Sequence, residues 1–226
     1  MDYYTSYGLT IIAFILTTLA QVFVTSTYKK YNSVKNERNL TGKDAARKLL
    51  DKNGLQNVNV VEVSGYLTDH YDPRKKEVRL SSNNYHGTSI SSVSVACHEC
   101  GHAIQDKVGY IFMRIRAFLV PVVNFSSYAG YISIVLGMLF SAIDLIWIGI
   151  FLEILILLFQ IITLPVEIDA SKRALKELDY SHFFNSNELK NGRSVLVAAA
   201  LTYVASVAST LLQILRLILM FGRRND

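Results

Sequence analysis

One short segment of the chain combines residue types and spacing that suit metal chemistry. His98, Glu99 and His102 form the pattern H-E-x-x-H within a stretch of helical periodicity. Residues four apart project from the same face of an α-helix, so the two imidazoles can hold one metal ion. Neutral imidazole suits Zn²⁺, and Glu99 would lie beside the ion, where it can take a proton from a zinc-activated water. The pattern therefore predicts a zinc ion on His98 and His102, with Glu99 as general base.

A third ligand is expected downstream, because a catalytic zinc ion takes three protein ligands and one water. Pro165 follows a long apolar stretch and is expected to end it and to begin a new helix. On that helix Glu167 shares a stripe with Ala170 and Ala174 that should face the core. A carboxylate on a packed face is costly unless it is paired or bound to metal. Glu167 is therefore the predicted third ligand, whereas Asp169, about 200° away around the helix, is expected to be solvated.

Two cysteines in the same segment offer a different interpretation. Cys97 and Cys100 have the spacing of a structural zinc site or a redox C-x-x-C pair. On a helix, however, Cys100 lies opposite His98 and cannot reach the same ion. The pair also lies in the middle of the predicted helix and not at its N-terminus, so both are expected to be small buried residues.

The elements that position these residues can be inferred from composition and charge. Hydrophobic residues make up 51% of the 226 positions and charged residues only 18%, which excludes a disordered chain. Two cysteines cannot build a disulfide framework. The net charge of +5 suits either nucleic acid or an anionic membrane surface. The basic residues adjoin apolar stretches, so we expect membrane lipid as a partner and no nucleic acid.

Four stretches are long and apolar enough to cross a lipid bilayer as helices. A spanning helix needs about 20 predominantly apolar residues, whereas a helix of a soluble protein needs a polar face. The first stretch has neither a basic n-region nor a clear cleavage site, so we expect it to remain as an anchor. The four stretches are 7–24, 118–142, 145–164 and 195–221.

The two polar segments between these stretches, 29–116 and 165–193, are predicted to face the cytoplasm. Basic residues concentrate where the apolar stretches adjoin them, as is typical of the inner side of a membrane. Arg223 and Arg224 would then lie outside, so the side of the C-terminus stays open. The basic flanking residues are Lys29, Lys30, Lys35, Arg38, Lys107, Arg114, Arg116, Lys172, Arg173, Lys176 and Arg193.

Ionisable residues within the apolar stretches are candidates for function. Glu153 lies well inside the third stretch, and we expect it to be protonated or to face the other spans. Asp144 and Arg216 would both lie near the outer interface, where they can pair.

Segment 29–116 has the pattern of a small α+β unit. Residues 41–50 are typical of an amphipathic helix with Thr41 as its N-cap. Apolar residues predict strands at 58–63 and 77–80, with a turn at Asp72-Pro73-Arg74 between them. The polar stretch 81–87 indicates a loop. Residues 89–107 are predicted to form the helix that carries the H-E-x-x-H pattern. Strand residues 78–81 are expected to pair with an extended substrate.

Four sequence blocks together resemble the bacterial YugP-type neutral zinc metallopeptidases over nearly the whole chain. These blocks are 67–73, 78–81, 98–105 and 164–171. The resemblance implies an integral, gluzincin-like peptidase of the bacterial cell membrane, with zinc on two histidines and a downstream glutamate. Similar membrane-bound quality-control and CAAX-type proteases often show E-x-x-x-D, whose Asp orients a histidine ligand. Ser171 occupies that position here, and its hydroxyl can accept a hydrogen bond from an imidazole N–H.

The same related folds use a His or Tyr downstream of the glutamate to stabilise the oxyanion. Tyr180 and His182 are the candidates here, and His182 is equally well interpreted as an exposed loop residue. His70 precedes a turn and either lines the cleft or, as we favour, makes a hydrogen bond within its loop. His86 is interpreted as a loop residue.

These inferences combine into an α+β membrane protein in which four transmembrane helices carry a zincin-like catalytic unit, mostly helical with a small β-sheet. The expected activity is zinc-dependent cleavage of membrane-proximal or hydrophobic protein segments, with one Zn²⁺ per chain. A protein or peptide substrate is the expected partner, and a membrane-protein partner or a homo-oligomer stays open. The alternative is a catalytically silent scaffold that keeps zinc for structure. The presence of Glu99 and the lack of a fourth protein ligand argue against it.

Overall fold

The computed structural model describes residues 3–222 and shows a mostly helical chain with one small sheet. Within that range the chain forms two compact units. The apolar unit comprises 3–21, 115–164 and 202–222, and the polar unit comprises 22–114 and 165–201. In chain order the elements are α1 (Tyr3–Asn32), α2 (Gly42–Lys52), β1 (Asn59–Val63), β2 (His70–Asp72), β3 (Glu77–Ser81), α3 (Ser82–His86), α4 (Ile90–Lys107), α5 (Ile111–Leu139), α6 (Ile143–Tyr180) and α7 (Ser186–Phe221).

Four of the helices, α1, α5, α6 and α7, are long and apolar enough to cross a membrane, as the sequence predicted. In the most apolar 18-residue segment of each helix, only 6–28% is buried within the protein, so most of the apolar side chains face outward. Outward-facing apolar side chains on this scale suit a lipid environment. Each helix is longer than the apolar stretch that predicted it. The first apolar stretch marks the central part of α1, the third marks the N-terminal part of α6, and the second and fourth mark the C-terminal parts of α5 and α7.

Small residues allow helices of the apolar unit to pack closely. A Cβ on Gly149 of α6 would lie 3.0 Å from the carbonyl oxygen of Gly130 on α5. A Cβ on Gly130 would in turn lie 3.1 Å from Cβ of Leu152. Close backbone approach through glycine is a usual way for helices to associate in lipid, where the hydrophobic effect contributes little.

The expectation that Pro165 ends one helix and begins another is wrong, because α6 continues through it. A proline inside a helix removes one backbone hydrogen bond and crowds the preceding turn. Proline is nevertheless found more often in apolar helices than in soluble ones. Two hydrogen bonds lie near it here: Thr163 Oγ1 donates to the carbonyl oxygen of Phe159 at 2.8 Å, and the Tyr110 hydroxyl donates to that of Pro165 at 3.5 Å. The helix that carries Glu167 is therefore the direct continuation of an apolar helix.

The core of the polar unit begins with α2, as the sequence predicted. Thr41 Oγ1 caps the helix by accepting a hydrogen bond from the backbone N–H of Asp44 at 3.1 Å. Gly54, one residue beyond the C-cap, has a φ of 65°, which glycine adopts at low cost. The apolar face packs in the interior, and its fully buried members are Ala45, Ala46, Leu49 and Leu50.

The sheet has the strand order β1-β3-β2, with β1 parallel and β2 antiparallel to β3. The predicted strands β1 and β3 are confirmed. β3 is paired on both sides only at residues 77–79, so the expectation that residues 78–81 pair with a substrate is wrong for Val78 and Arg79. Leu80 and Ser81 pair with β1 alone, and for them the expectation stays a prediction. An added strand would have to pair with β1, with β2 or with this last part of β3.

Two short elements, β2 and α3, differ from the predicted loops. β2 has only three residues, too few to show alternation, and the Tyr71 hydroxyl ties it to Asp106 Oδ2 at 2.7 Å. α3 is polar and is held by buried hydrogen bonds instead of an apolar stripe. Asn84 Oδ1 accepts from the Tyr28 hydroxyl at 2.7 Å, and Asn84 Nδ2 donates to Asp69 Oδ2 at 2.8 Å. Such long-range contacts leave no periodic signal in the sequence.

We expect Gly42→Ala to destabilise the polar unit. A Cβ at Gly42 would lie 2.1 Å from the carbonyl oxygen of Asn84, a backbone atom that cannot rotate away. The cost should be about 1–3 kcal/mol, as for other overpacked sites. It should appear as a lower midpoint of thermal unfolding in detergent. Gly8→Ala is the matched control, because its Cβ would have no described neighbour within 4 Å. Equal midpoints for the two variants would contradict the packing of α2 on α3.

Candidate metal centre

The helix α4 holds the H-E-x-x-H residues against the core of the polar unit. Ser89 caps its N-terminus, where Oγ accepts a hydrogen bond from the backbone N–H of Ser92 at 3.0 Å. Cys97 and Cys100 are free and buried, and burial raises the pKa of both thiols. The cysteines therefore belong to the packed side of α4, which confirms their interpretation as small buried residues. His98 and His102 lie one turn apart on the side that faces Glu167.

Three of the predicted site residues converge on one point. Nε2 of His98 lies 3.3 Å and Nε2 of His102 lies 3.6 Å from Oε2 of Glu167. The potential ligand atoms of these three residues all lie within 4.8 Å of one another. Two imidazole nitrogens and one carboxylate oxygen form a donor set that suits Zn²⁺. The structure thus brings His98, His102 and Glu167 into a group that could hold a metal ion.

The close approach of α4 and α6 makes this convergence possible. A Cβ on Gly101 would lie 2.5 Å from the carbonyl oxygen of Ala170, so only glycine fits there without displacing α6. Val166 and Ala170 are fully buried, and Glu167 is only 3% exposed. The inward stripe that predicted Glu167 is confirmed by this burial, which extends to Ala174.

The outer nitrogens of both histidines are hydrogen bonded. Nδ1 of His98 lies 3.1 Å from Oγ of Ser171, and Nδ1 of His102 lies 3.0 Å from Oε1 of Gln105. An amide oxygen can only accept, so Nδ1 of His102 carries a proton. In the neutral imidazole Nε2 is then free to coordinate a metal ion, and in the imidazolium it donates to Glu167. The Ser171 hydroxyl can do the same for His98. Such outer contacts fix the tautomer and orientation of metal-binding histidines.

Gln105 was not identified from the sequence, although it lies three residues after His102 and therefore on its side of α4. The side chain is fully buried. Its Nε2 donates to the carbonyl oxygen of Val166 at 2.8 Å and to Oδ2 of Asp169 at 2.9 Å. Gln105 thus joins His102 to the helix that carries Glu167. A search for polar residues three or four positions after each histidine would have found it.

The expectation that Asp169 is solvated is wrong. Its side chain is only 28% exposed and accepts hydrogen bonds from Gln105 and from Nε of Arg173, the latter at 2.6 Å. Although Asp169 faces away from Glu167, the long Gln105 side chain reaches it from α4. Asp169 therefore supports the orientation of Gln105, and through it that of His102.

Glu99 lies beside the converging ligands and is buried, with 8% of its surface exposed. Burial raises the pKa of its carboxyl group, while the neighbouring His98 and His102 act in the opposite direction. The net shift is upward, which favours a group that can both take up and return a proton.

The pKa of His102 is also shifted by its surroundings. Burial lowers it by disfavouring the imidazolium, but the hydrogen bond to Glu167 and the negative charge of Glu99 outweigh burial and raise it. A metal ion must displace any proton on the coordinating nitrogen, so metal binding at this site depends on pH.

The remaining candidates do not reach the centre. Tyr180 is 72% exposed, and its ring lies against Lys52 Nζ at 3.9 Å. His182 is exposed in a turn with a φ of 52°. His70 lies in β2 instead of a loop, and its Nδ1 lies 2.8 Å from the carbonyl oxygen of Thr68, the local hydrogen bond we favoured. His86 lies in α3, 3.1 Å from a carboxylate oxygen of Glu62. Tyr180 and His182 are not part of the group of potential metal ligands, and their role in binding the oxyanion stays a prediction.

Comparison with known proteins agrees with this arrangement. A protein family described as "Putative neutral zinc metallopeptidase" matches residues 6–222. A similar protein of Bacillus subtilis (strain 168), named "Putative membrane protease YugP", is 45% identical over 218 residues. These residues cover 96% of this chain and 97% of that protein. No solved structure matches the chain. The similarity thus extends over the polar unit and the apolar helices alike.

We expect Gln105→Ala to weaken zinc binding without removing a ligand. Loss of a hydrogen bond to the outer nitrogen of a metal-binding histidine lowers affinity by about 10–100-fold. Competition with a chromophoric chelator on the purified protein in detergent measures this change. Asp169→Asn should have a smaller effect in the same direction, because Gln105 keeps its bond to Val166.

The matched control is Gln56→Ala, since Gln56 is exposed and donates only to the carbonyl oxygen of Asp51. A Gln105→Ala protein with the zinc affinity of the control would show that Gln105 does not orient His102.

Proposed function

Because this chain belongs to the neutral zinc metallopeptidase family, we propose that it is a membrane-embedded endopeptidase that cleaves membrane-proximal or hydrophobic protein segments. The observation that carries the proposal is the convergence of His98, His102 and Glu167, with the buried Glu99 beside them. A peptidase needs an open position on its metal, and three protein ligands leave one.

The proposed ligands are Nε2 of His98, Nε2 of His102 and a carboxylate oxygen of Glu167, for one Zn²⁺ per chain. Nε2 is the nitrogen chosen for each histidine because both Nδ1 atoms are already occupied by hydrogen bonds. Bound there, zinc supplies a Lewis acid that polarises the scissile carbonyl and lowers the pKa of a water molecule. Ser171 and Gln105 hold the imidazoles in place, while α6 holds the carboxylate.

Glu99 is proposed as the general base and acid. Its carboxylate takes a proton from the attacking water and then delivers it to the nitrogen of the leaving amine. Both transfers require a group whose pKa lies nearer neutrality than that of an exposed glutamate. Burial raises the pKa of Glu99 and so supports this role.

The substrate is proposed to bind as an extended segment along the edge of β2. β3 is covered by β2 at residues 77–79, whereas β2 is paired on one side along its whole length. The charge of Asp69, the residue before β2, contributes to the electrostatics of Glu99, which supports proximity of this edge to the catalytic group. Backbone hydrogen bonds to an edge strand recognise peptides with little sequence preference. The name of the Bacillus subtilis protein, a membrane protease, also supports a protein substrate.

We further propose that the polar unit faces the cytoplasm of a bacterial cell. The basic residues that flank the apolar stretches support this orientation. Substrates would then be cytoplasmic segments adjoining the bilayer, and the apolar helices would hold the site near them.

We expect Glu99→Gln to separate zinc binding from catalysis. The amide keeps the shape of the side chain but cannot accept the proton, so turnover should fall by about 10²–10⁴-fold or more. Zinc content should stay near one ion per chain, as is typical of one catalytic site. Glu167→Ala and His98→Ala should lose zinc and activity together. Metal analysis by mass spectrometry beside a peptide-cleavage assay on the same preparations measures both quantities.

Glu62→Gln is the matched control, because Glu62 is exposed on β1 of the same unit. It should leave zinc content and cleavage unchanged. Cleavage at the wild-type rate by Glu99→Gln would refute the proposed base, and loss of its zinc would make Glu99 a structural part of the site.

Cysteine labelling tests the orientation of the polar unit. Asn57→Cys places a thiol in an exposed turn before β1, whereas the native cysteines are buried and should not react. In intact cells a membrane-impermeant maleimide should leave Asn57→Cys unmodified until the membrane is permeabilised. Ser141→Cys, in the exposed turn between α5 and α6, should react in intact cells. The opposite pattern would reverse the proposed topology.

A further inference from the structure

The apolar unit contains a cavity that the proposed peptidase site does not use. Its volume is about 420 Å³, and residues of α1, α5, α6 and α7 line it. Glu153 of α6 and Arg216 of α7 both contribute to the wall, together with neutral polar residues from α1 and α7. Glu153 therefore faces the other apolar helices, as expected. Ionisable groups among apolar helices are costly and are usually retained for binding or transport.

The neutral polar groups of the wall have partners within their own helices. Thr10 Oγ1 donates to the carbonyl oxygen of Ser6, and Thr17 Oγ1 to that of Ala13, each at 3.1 Å. Gln213 Nε2 donates to Oγ of Ser209 at 3.3 Å. The donors of these residues are thus largely used, and the two charged groups remain the main polar feature of the cavity.

The two charges do not neutralise each other directly. Within residues 3–222, no ion pair joins Glu153 to Arg216. Arg216 Nε donates to Oγ of Ser6 at 3.0 Å instead, and Asp144, the partner considered from the sequence, is exposed at the start of α6. A carboxylate and a guanidinium that line one cavity without pairing suit a ligand that brings a charge for each.

Apolar residues complete the wall, which is open to the exterior. Ala13, Phe14, Ile134 and Leu217 line it, and Phe14 is 69% exposed. The cavity therefore combines two opposite charges with an apolar side on helices that suit lipid. A volume of about 420 Å³ lies within the usual range for small-ligand sites.

We propose that this cavity binds the zwitterionic headgroup of an aminophospholipid. The primary ammonium group pairs with the Glu153 carboxylate, and the phosphate pairs with the Arg216 guanidinium, whose planar donors suit phosphate. The acyl chains leave along Phe14 and its apolar neighbours. This inference concerns the apolar unit and goes beyond the proposed peptidase activity.

Lipid retention by the purified full-length protein tests the proposal. After delipidation in detergent, equal amounts of dioleoyl phosphatidylethanolamine, phosphatidylcholine and phosphatidylglycerol are added, and bound lipid is measured by native mass spectrometry. The wild-type protein should retain phosphatidylethanolamine best, because the methylated ammonium of phosphatidylcholine has no N–H donor and phosphatidylglycerol has no ammonium. Equal retention of the three lipids by the wild-type protein would by itself overturn the proposal.

Charge variants then test each half of the site. Glu153→Gln should lower retention of phosphatidylethanolamine about tenfold, as for one lost charge-assisted contact, and leave phosphatidylglycerol unchanged. Arg216→Gln should lower retention of all three lipids. Asp144→Asn and Arg193→Gln, exposed charges on the same two helices outside the cavity, are the matched controls and should behave as wild type. An unchanged preference in a monodisperse Glu153→Gln protein would overturn the assignment of the ammonium site.

Discussion

The backbone contact between Gly101 of α4 and Ala170 of α6 determines the geometry of the metal centre. No side chain fits between them, so the two helices approach closely about one turn after His98 and directly before His102. This approach places Glu167 against His98 and His102 at 3.3 and 3.6 Å. A larger residue at position 101 would move α6 and with it the only one of the three proposed ligands that lies outside α4. The spacing between α4 and α6 at the site is therefore determined by backbone packing and not by side-chain contacts alone.

Burial of so many polar groups at one point is possible because almost every one has a defined partner. The Nδ1 atoms contact Ser171 and Gln105, Gln105 contacts Val166 and Asp169, and Asp169 accepts from Arg173. Unpaired, such groups would each cost about 1–3 kcal/mol. The hydrogen bond to Glu167 and the charge of Glu99 raise the pKa of His102, so the surroundings of its ring favour positive charge. A divalent cation satisfies the same requirement more strongly than a proton.

The sequence predicts the parts of the fold and site that depend on local periodicity. Apolar length predicted the four long helices, and the helical stripe of Ala170 and Ala174 predicted the inward position of Glu167. Parts that depend on contacts distant in the chain were not predicted. α3 depends on the hydrogen bonds of Asn84 to Tyr28 and Asp69. The continuity of α6 through Pro165 was not predicted from the sequence either. The position of Gln105 three residues after His102 is visible in the sequence, but its contacts to Val166 and Asp169 arise only when α6 packs against α4.

Gln105 also couples α4 to α6, because its amide group contacts residues of both helices. One amide group binds His102 through its oxygen and both the backbone and a side chain of α6 through its nitrogen. A shift of α6 along α4 would therefore rotate His102 as well as withdraw Glu167, so two ligands respond to one displacement. The geometry of the candidate metal centre thus depends on the packing of the part of α6 after Pro165 against α4.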